Sequence, residues 1–341
     1  MRSEHVKQPV CASVHVEAPA RLHLGFIDLN GSLGRRFGSL GLTLQGNGTS
    51  LKLAPAKTLK VTGPAHASSR ALAYATFITG RLGLPSGVDI EIHSATPDHA
   101  GLGSGTQMAL AIASALSRLY GLGLDSQELA VLTGRGKRSG IGIGAFDSGG
   151  FLLDGGRGET NRPPPVIVQR DFPEHWRMLL IFDLSGRGIH GKTEISAFQT
   201  LPVFPDDSAA ELSRLVLMQA LPALAEGDCD RFGHAVGRLQ QVVGDYFAPA
   251  QSGRYASIEV AEVLSWIEAQ GIAGIGQSSW GPTGFAILPD EAAGQEVLRQ
   301  LHGRFGERPN LRFEITSARN HGTRIEVCAV TAGHAALRTA M

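Results

Sequence analysis

The sequence predicts an α+β protein of two domains, and three observations carry that expectation. Its 341 residues suit about two domains, each long enough to bury a core. Segments that alternate apolar and polar residues are interspersed with segments whose apolar residues recur every three to four positions, the marks of half-buried strands and amphipathic helices. A proline tract, NRPPP at Asn161–Pro165, interrupts the chain near its middle. Such a run continues neither a helix nor a central strand. It divides the expectation into domains at 1–165 and 166–341.

Taken in order, ASVHVEA (12–18) alternates like a strand and runs into PARLHLGFIDLNGSLGRRFGSLGLTL. Val14, Val16, Leu22 and Leu24 share one side, with a partner strand returning through Leu40, Leu42 and Leu44. Arg21 and His23 alternate with those leucines, and the loop between the strands carries Asp28, Asn30, Arg35 and Arg36 among glycines. Two arginines in a tight glycine-rich bend suit a phosphate or a carboxylate; a solvated hairpin loop is the plainer alternative. Residues 50–62 read as a further strand and 66–82 as a helix with Ala71, Tyr74, Ile78 and Leu82 in phase. GVDIEIHSATP then alternates through Val88, Ile90 and Ile92.

That strand delivers the chain into PDHAGLGSGTQMALAIASALSRLY, Pro97–Tyr120, the stretch with the strongest chemical signature. Gly101, Gly103 and Gly105 allow positive φ and a close backbone approach to a ligand, with Leu102, Ser104 and Thr106 completing the turn. Ser104 and Thr106 are placed to cap the following helix, whose first N–H groups lack partners and point at whatever anion sits there. Met108, Ala109, Ile112, Leu116 and Leu119 form its apolar stripe and Gly121 its stop. The pattern is neither the G-x-x-x-x-G-K-[ST] loop nor G-x-G-x-x-G. By itself it leaves a diphosphate cradle and an ordinary glycine-rich turn open, and the strand–turn–helix context favours the cradle.

Asp125 or Ser126 caps a short helix ending near Leu132. Arg135, Lys137 and Arg138 come next within four residues, then the flexible run of Gly140, Gly142 and Gly144, and a strand-like GGFLLDGG. This is a second candidate anion site. Asp147, the carboxylate within the glycine run, is a candidate metal ligand or base, or a simple turn former. Beyond the proline tract, HWRMLLIFDL reads as a buried strand. SGRGIHGKTE places Arg187 and His190 on another glycine-rich turn, and three amphipathic helices span 205–271. GIGQSSWGPTGFA combines donors from Gln277, Ser278 and Ser279 with the flat indole of Trp280, a composition suited to a binding loop or to a turn with its tryptophan in the core. A helix near 291–305 and terminal strands close the pattern.

Composition narrows the function. Basic and acidic residues balance at 31 each, which gives no sign of nucleic acid or a membrane bound through bulk charge, and 6% aromatics argue against a base-stacking surface. Gly is abundant at 44 residues, clustered between periodic segments as working loops. Cys11, Cys229 and Cys328 lie far apart without C-x-x-C spacing, so neither a disulfide framework nor a zinc site is expected. No apolar run reads as a signal peptide or membrane span, which leads to the expectation of a cytoplasmic protein. Four glycine-rich loops bearing cationic or hydroxyl groups suit a ligand with more than one phosphate.

The ordered set PARLHLGFIDLNGSLGR, HAGLGSGTQMALAIA, GRGKRSGIGIGAFDSGGFLLDGG and GIGQSSWGPTGFA resembles the β-ribofuranosylaminobenzene 5′-phosphate synthase family of tetrahydromethanopterin biosynthesis. That family is a branch of the galactokinase, homoserine kinase, mevalonate kinase and phosphomevalonate kinase (GHMP) superfamily. The resemblance runs from about Ala18 to about Ala286. It implies an N-terminal domain of left-handed βαβ type, a C-terminal ferredoxin-like domain, a site between them, and a homodimer. It also implies a decarboxylating transfer of phosphoribose from phosphoribosyl diphosphate to 4-aminobenzoate or 4-hydroxybenzoate, assisted by Mg2+. On that reading Gly101–Thr106 hold the diphosphate. Arg21, His23, Arg35 and Arg36 meet the benzoate carboxylate or 5-phosphate; Arg135, Lys137 and Arg138 meet the other anion; Gln277–Trp280 hold ring or sugar; Asp28, Asn30, Arg187 and His190 complete the substrate-binding set. Asp147 holds magnesium or a ribose hydroxyl, its surroundings departing from the kinase pattern. An ATP-dependent small-molecule kinase with Asp147 as base, and a non-catalytic sugar-phosphate sensor, are the alternatives.

Overall fold

The structure is a computed structural model that describes residues 7–185, 200–251 and 253–329. Arg187 and His190 lie outside the described residues.

Two sheets organise the molecule. The first begins with two long strands, β1 (Ser13–Asp28) and β2 (Phe37–Pro55), antiparallel along almost their whole length. Val14, Val16, Leu22 and Leu24 all turn to the interior, as their alternation requires. The segment expected as a separate strand from residue 50 is the second half of β2, succeeded by the short β3 (Lys60–Thr62). Helix α1 (Ala65–Leu82) crosses to β4 (Val88–Ser94), which pairs parallel with β3 and antiparallel with β2. Helix α2 (Ser104–Leu119) packs on the sheet beside α1. Its apolar stripe Met108, Leu110, Ile112, Leu116 and Leu119 is buried against Val14, Val16, Leu51, Leu53, Ile90 and Ile92.

Helix α3 (Ser126–Leu132) starts at Asp125, whose carboxylate accepts from the Glu128 amide while Glu128 accepts from that of Asp125, a reciprocal capping box. The glycine run that the sequence suggests is flexible instead forms helix α4 (Ile141–Asp147). Burial of Ile141, Ile143, Ala145 and Phe146 outweighs the low helix propensity of Gly142 and Gly144. The buried Asp154 carboxylate fixes the start of that helix by accepting from the Gly140 amide at 2.8 Å and the Ser139 hydroxyl at 2.9 Å.

Strand β5 (Phe151–Asp154) pairs with β2, and β6 (Val166–Arg170) pairs with β5. The first sheet therefore continues past the proline tract, which joins two of its strands instead of ending it. Prolines are tolerated here because the connection lies at the sheet's margin, where no ladder N–H is lost. The sheet also recruits β11 (Arg324–Cys328), which returns to pair with β1.

The second sheet is β10-β7-β9-β8, all antiparallel, built from β7 (Arg177–Asp183), β8 (Ile275–Gln277), β9 (Gly284–Leu288) and β10 (Leu311–Thr316). Between β7 and β8 run α5 (Asp206–Leu215), continuing through a π-helical turn (Val216–Ala220) into α6 (Leu221–Glu226), then α7 (Cys229–Gln251) and α8 (Ile258–Ala269). Helix α9 (Glu291–Phe305) joins β9 to β10. Helices α8 and α9 cover one face through Val263, Leu264, Leu301 and Phe305. The opposite face, with Met178, Leu180 and Phe285, meets α7 and the first sheet in one shared core that includes Leu22, Leu24, Phe151, Phe172, Trp176 and Phe232. The turn before α2 and the turn after β8 lie where the two halves meet.

Candidate active site

The cradle turn is locked from both sides. Gly101 has φ +78°, and a Cβ there would stand 2.3 Å from the Ser278 carbonyl oxygen, so only glycine fits. The fully buried Ser278 donates its hydroxyl to the Gly101 carbonyl at 2.8 Å and accepts from the His23 amide at 3.0 Å. Three elements distant in sequence are thereby pinned together: β1, the cradle, and the β8–β9 loop. Helix α2 is preceded by Gly103 in a left-handed conformation and has no side-chain cap, contrary to the capping expected of Ser104 and Thr106. The amides of Thr106 and Gln107 turn back to the Gly103 carbonyl, which leaves those of Ser104 and Gly105 to a ligand.

Three guanidinium groups surround that helix end. Arg21 lies flat on Gly103, with Nη1 donating to the Gly101 carbonyl at 2.5 Å. Arg135 packs over Gly105, stacks on the Tyr74 ring and donates to its hydroxyl. Tyr74 in turn donates to the Gly105 carbonyl at 3.1 Å. Arg70 reaches the Ser104 hydroxyl at 3.1 Å and Asp98 at 2.8 Å. The Nε atoms of Arg21 and Arg135 are buried without a hydrogen-bond partner, and among the described residues neither arginine forms an ion pair. Burial lowers the pKa of Arg21 to about 10. Burial and then the charge of Arg70 lower that of Arg135. Desolvated cations without carboxylates are costly unless an anion answers them.

His23, two residues along β1 from Arg21, is 3% exposed, and neither ring nitrogen has a hydrogen-bond partner outside its own residue. Burial, and after it the charge of Arg21, pushes its pKa down to about 3, so the imidazole is neutral near pH 7. Its ring meets Phe26 edge-on at 4.6 Å, while Phe247 lies 4.3 Å from Trp280, ring centre to ring centre.

The remaining sequence candidates have other places. Asp28 accepts from the amides of Asn30 and Gly31, and Asn30 donates to the Phe204 carbonyl at 2.6 Å. Arg35 donates to the carbonyls of Gly155 and Gly156, both at 2.6 Å, and Arg36 to that of Leu29 at 2.7 Å. These four residues hold their loop, because a glycine-rich bend exposes backbone carbonyls that arginines satisfy. Lys137 is exposed and Arg138 partly buried on the turn after Arg135. Gln277 is saturated by Gln251, Ser279 and the Ala256 amide, and is a structural clamp. Asp147 stands at the C-terminal end of α4, accepting from Ser126 at 2.6 Å. The residue that α4 sets against the cradle is Gly142, packed on Thr106. Asp147 thus occupies the end of α4 away from that contact. Arg70, Tyr74 and Asp98 were not foreseen; an arginine and a tyrosine four apart on α1 were the available signal.

Comparisons with known proteins give the family and the fold. The pattern of the GHMP kinases N terminal domain matches residues 69–155, and that of the GHMP kinases C terminal domain matches 220–307. A β-ribofuranosylphenol 5′-phosphate synthase of Archaeoglobus fulgidus is 36% identical over 330 residues, covering 92% of this chain and all of its own. The corresponding synthase of Methanothermobacter thermautotrophicus is 31% identical, over 90% of this chain and 97% of its own. This chain belongs to the β-ribofuranosylphenol 5′-phosphate synthase family. The β-ribofuranosylphenol 5′-phosphate synthases transfer a pentosyl group, and this member is an enzyme of that type. Its GHMP fold is seen again in mevalonate diphosphate decarboxylase from Staphylococcus aureus, with TM-score 0.66, 16% identity, and 92% and 98% of the two chains covered. Homoserine kinase from Cytophaga hutchinsonii gives TM-score 0.56, 18% identity, and 94% and 99% coverage. Among the described residues no helix is long and apolar enough to cross a membrane.

Proposed function

We propose that the enzyme joins phosphoribosyl diphosphate to a para-substituted benzoate, 4-hydroxybenzoate or 4-aminobenzoate, with release of diphosphate and carbon dioxide, as a step toward tetrahydromethanopterin. The observation that carries this is the pair of partly buried guanidinium groups, Arg21 and Arg135, whose Nε atoms have no partner and which form no ion pair among the described residues, at the start of α2, which has no side-chain cap. The relatives, synthases of a ribofuranosylphenol phosphate, support the same product class.

Charge develops on the leaving diphosphate as the bond from the anomeric carbon to oxygen breaks. Arg21, Arg70, Arg135 and the first amides of α2 meet it in a desolvated setting where each contact counts for more than in water. The ring carbon that bears the carboxylate then bonds to the anomeric carbon, driven by electron donation from the para oxygen or nitrogen. The bond to the carboxylate breaks next, and its electron pair restores the aromatic ring. Because carbon dioxide departs in place of a proton, no carboxylate base is needed, in keeping with Gly142 as the α4 residue at the cradle.

Among the described residues no group of three or more His, Cys, Asp and Glu is placed to hold a metal. Magnesium takes oxygen ligands and commonly only one or two from protein. Asp98 and Ser104, which share Arg70 as partner, fit that role better than Asp147 and would hold magnesium bound to the diphosphate. There it would supply further charge neutralisation.

Charged phosphorylated substrates suit a reaction in the cytoplasm, and we take the working species to be a homodimer, which light scattering would check. Incubation with phosphoribosyl diphosphate, magnesium and carboxyl-labelled 4-hydroxybenzoate or 4-aminobenzoate tests the reaction. Equimolar labelled carbon dioxide and diphosphate, formed only when both substrates are present, is the expected result. Phosphoryl transfer from ATP to an alcohol without carbon dioxide release would overturn it.

A further inference from the structure

His23 is almost wholly buried, neither ring nitrogen has a partner outside its own residue, and it borders a small, partly open cavity of about 20 Å³. Phe26, Phe247 and Trp280 line that cavity with it, alongside Gln240 and Gln277. The amides of both glutamines are committed. Gln240 donates to the Leu24 carbonyl and accepts from the Gln277 amide, and Gln277 is held by Gln251, Ser279 and Ala256. His23 is therefore a polar group there with hydrogen-bonding capacity to spare. A volume of that size admits one water-sized group.

Arg21 and His23 share one face of β1, in unbroken register with Thr43 and Gly41 on β2. Side chains two apart on a strand stand roughly 6.6 Å apart. That separation is comparable to the length of a benzoate from its carboxyl carbon to its para substituent. Arg21 touches the cradle, where the anomeric carbon must lie if diphosphate leaves there. The acceptor then has its reacting carbon toward Arg21 and its para substituent toward His23. A neutral imidazole is a weak partner for an anion and a suitable one for a hydroxyl or amino group, since one nitrogen accepts and the other donates.

We infer that His23 is the specificity-determining residue for the acceptor: it receives the para hydroxyl or amino group in the small cavity that Phe26, Phe247 and Trp280 line with it. Accepting a hydrogen bond from that group raises electron density at the ring carbon that attacks, so the same contact that selects the acceptor also activates it. No proton need leave the substituent.

This inference rests on the proposed reaction, and its test separates the two. Binding of 4-hydroxybenzoate, 4-aminobenzoate and unsubstituted benzoate to the full-length protein is measured by competition in the presence of phosphoribosyl diphosphate and magnesium, for the native protein and for His23→Phe. Turnover is measured in parallel. The native protein is expected to bind unsubstituted benzoate about tenfold more weakly than either para-substituted acid, the scale of one lost hydrogen bond. His23→Phe should bind all three within about twofold of one another, with KM for phosphoribosyl diphosphate unchanged. His23→Gln, which keeps a donor and an acceptor, should restore part of the discrimination; it also serves if the phenylalanine variant does not fold. Equal binding of all three acids by the native protein, or discrimination that survives in either folded variant at its full native value, overturns the role of His23. Native protein that releases no carbon dioxide from either para-substituted acid instead overturns the reaction itself.

Discussion

Arg21 and Arg135 keep buried Nε atoms that nothing in the protein answers, so much of their worth should appear only with an anion bound. Replacing Arg135 by Ala should raise KM for phosphoribosyl diphosphate by at least about tenfold, the scale of one charged hydrogen bond, and leave KM for the benzoate little changed. Arg135→Lys should not restore it, because the planar group that stacks on Tyr74 is lost; steady-state kinetics with each substrate varied would show this. His23 makes a second prediction. Its folded pKa, about 3, lies below the ordinary value of 6.5, so the unfolded chain binds its proton first as pH falls. No stability is lost to this group above pH 6.5; below that the fold loses up to about 1.4 kcal/mol per pH unit until about pH 3. Urea unfolding at pH 7 and pH 5 should show a smaller acid loss in His23→Gln than in the native protein. At this scale the sequence revealed Arg21 and His23, because polar residues alternating with leucines on a strand must share a face. Arg70 was hidden, since one arginine on an amphipathic helix looks solvated until the neighbouring helix is in place.

The cradle and its latch show what a turn can fix. Gly101→Ala would force a side chain into a left-handed backbone and against the Ser278 carbonyl. It should cost more than about 2 kcal/mol of stability and displace the β8–β9 loop. Gly123 has φ +69° with nothing within 4 Å, so Gly123→Ala should cost only about 1–2 kcal/mol. Denaturant unfolding of the pair separates collision from backbone strain. The apolar stripe of α2 and the start of α3 at Asp125 were legible, whereas the capping expected of Ser104 and Thr106 was not realised, because Gly103 in a left-handed conformation takes the cap position. Helix α4 was not legible. Its glycines carry a loop signature, and only the long-range burial of Ile141, Ile143 and Phe146 and the reach of Asp154 make it helical.

Both sheets contribute to a single apolar core, with Leu22 and Phe151 from one and Met178 and Phe285 from the other. Scanning calorimetry should accordingly record one cooperative transition, and two resolved transitions would contradict the shared core. Diphosphate at a hundred times its Kd should raise stability by about 2.7 kcal/mol. The mixed architecture was legible from the periodicities, and its GHMP arrangement from the ordered motifs. The boundary was misplaced because Pro163–Pro165 break any local element wherever they stand, whereas sheet membership is decided by pairing between distant strands. The β1–β11 pairing has a consequence for synthesis. The edge of β1 that β11 covers stays open while the whole second sheet is being made, and at ribosomal speed the roughly 150 residues between β6 and β11 take about 8–30 s. For that interval the strand edge from Ser13 to Glu17, backed by Val14 and Val16, is exposed in the cell, and chaperones or an early partner would have most to guard there.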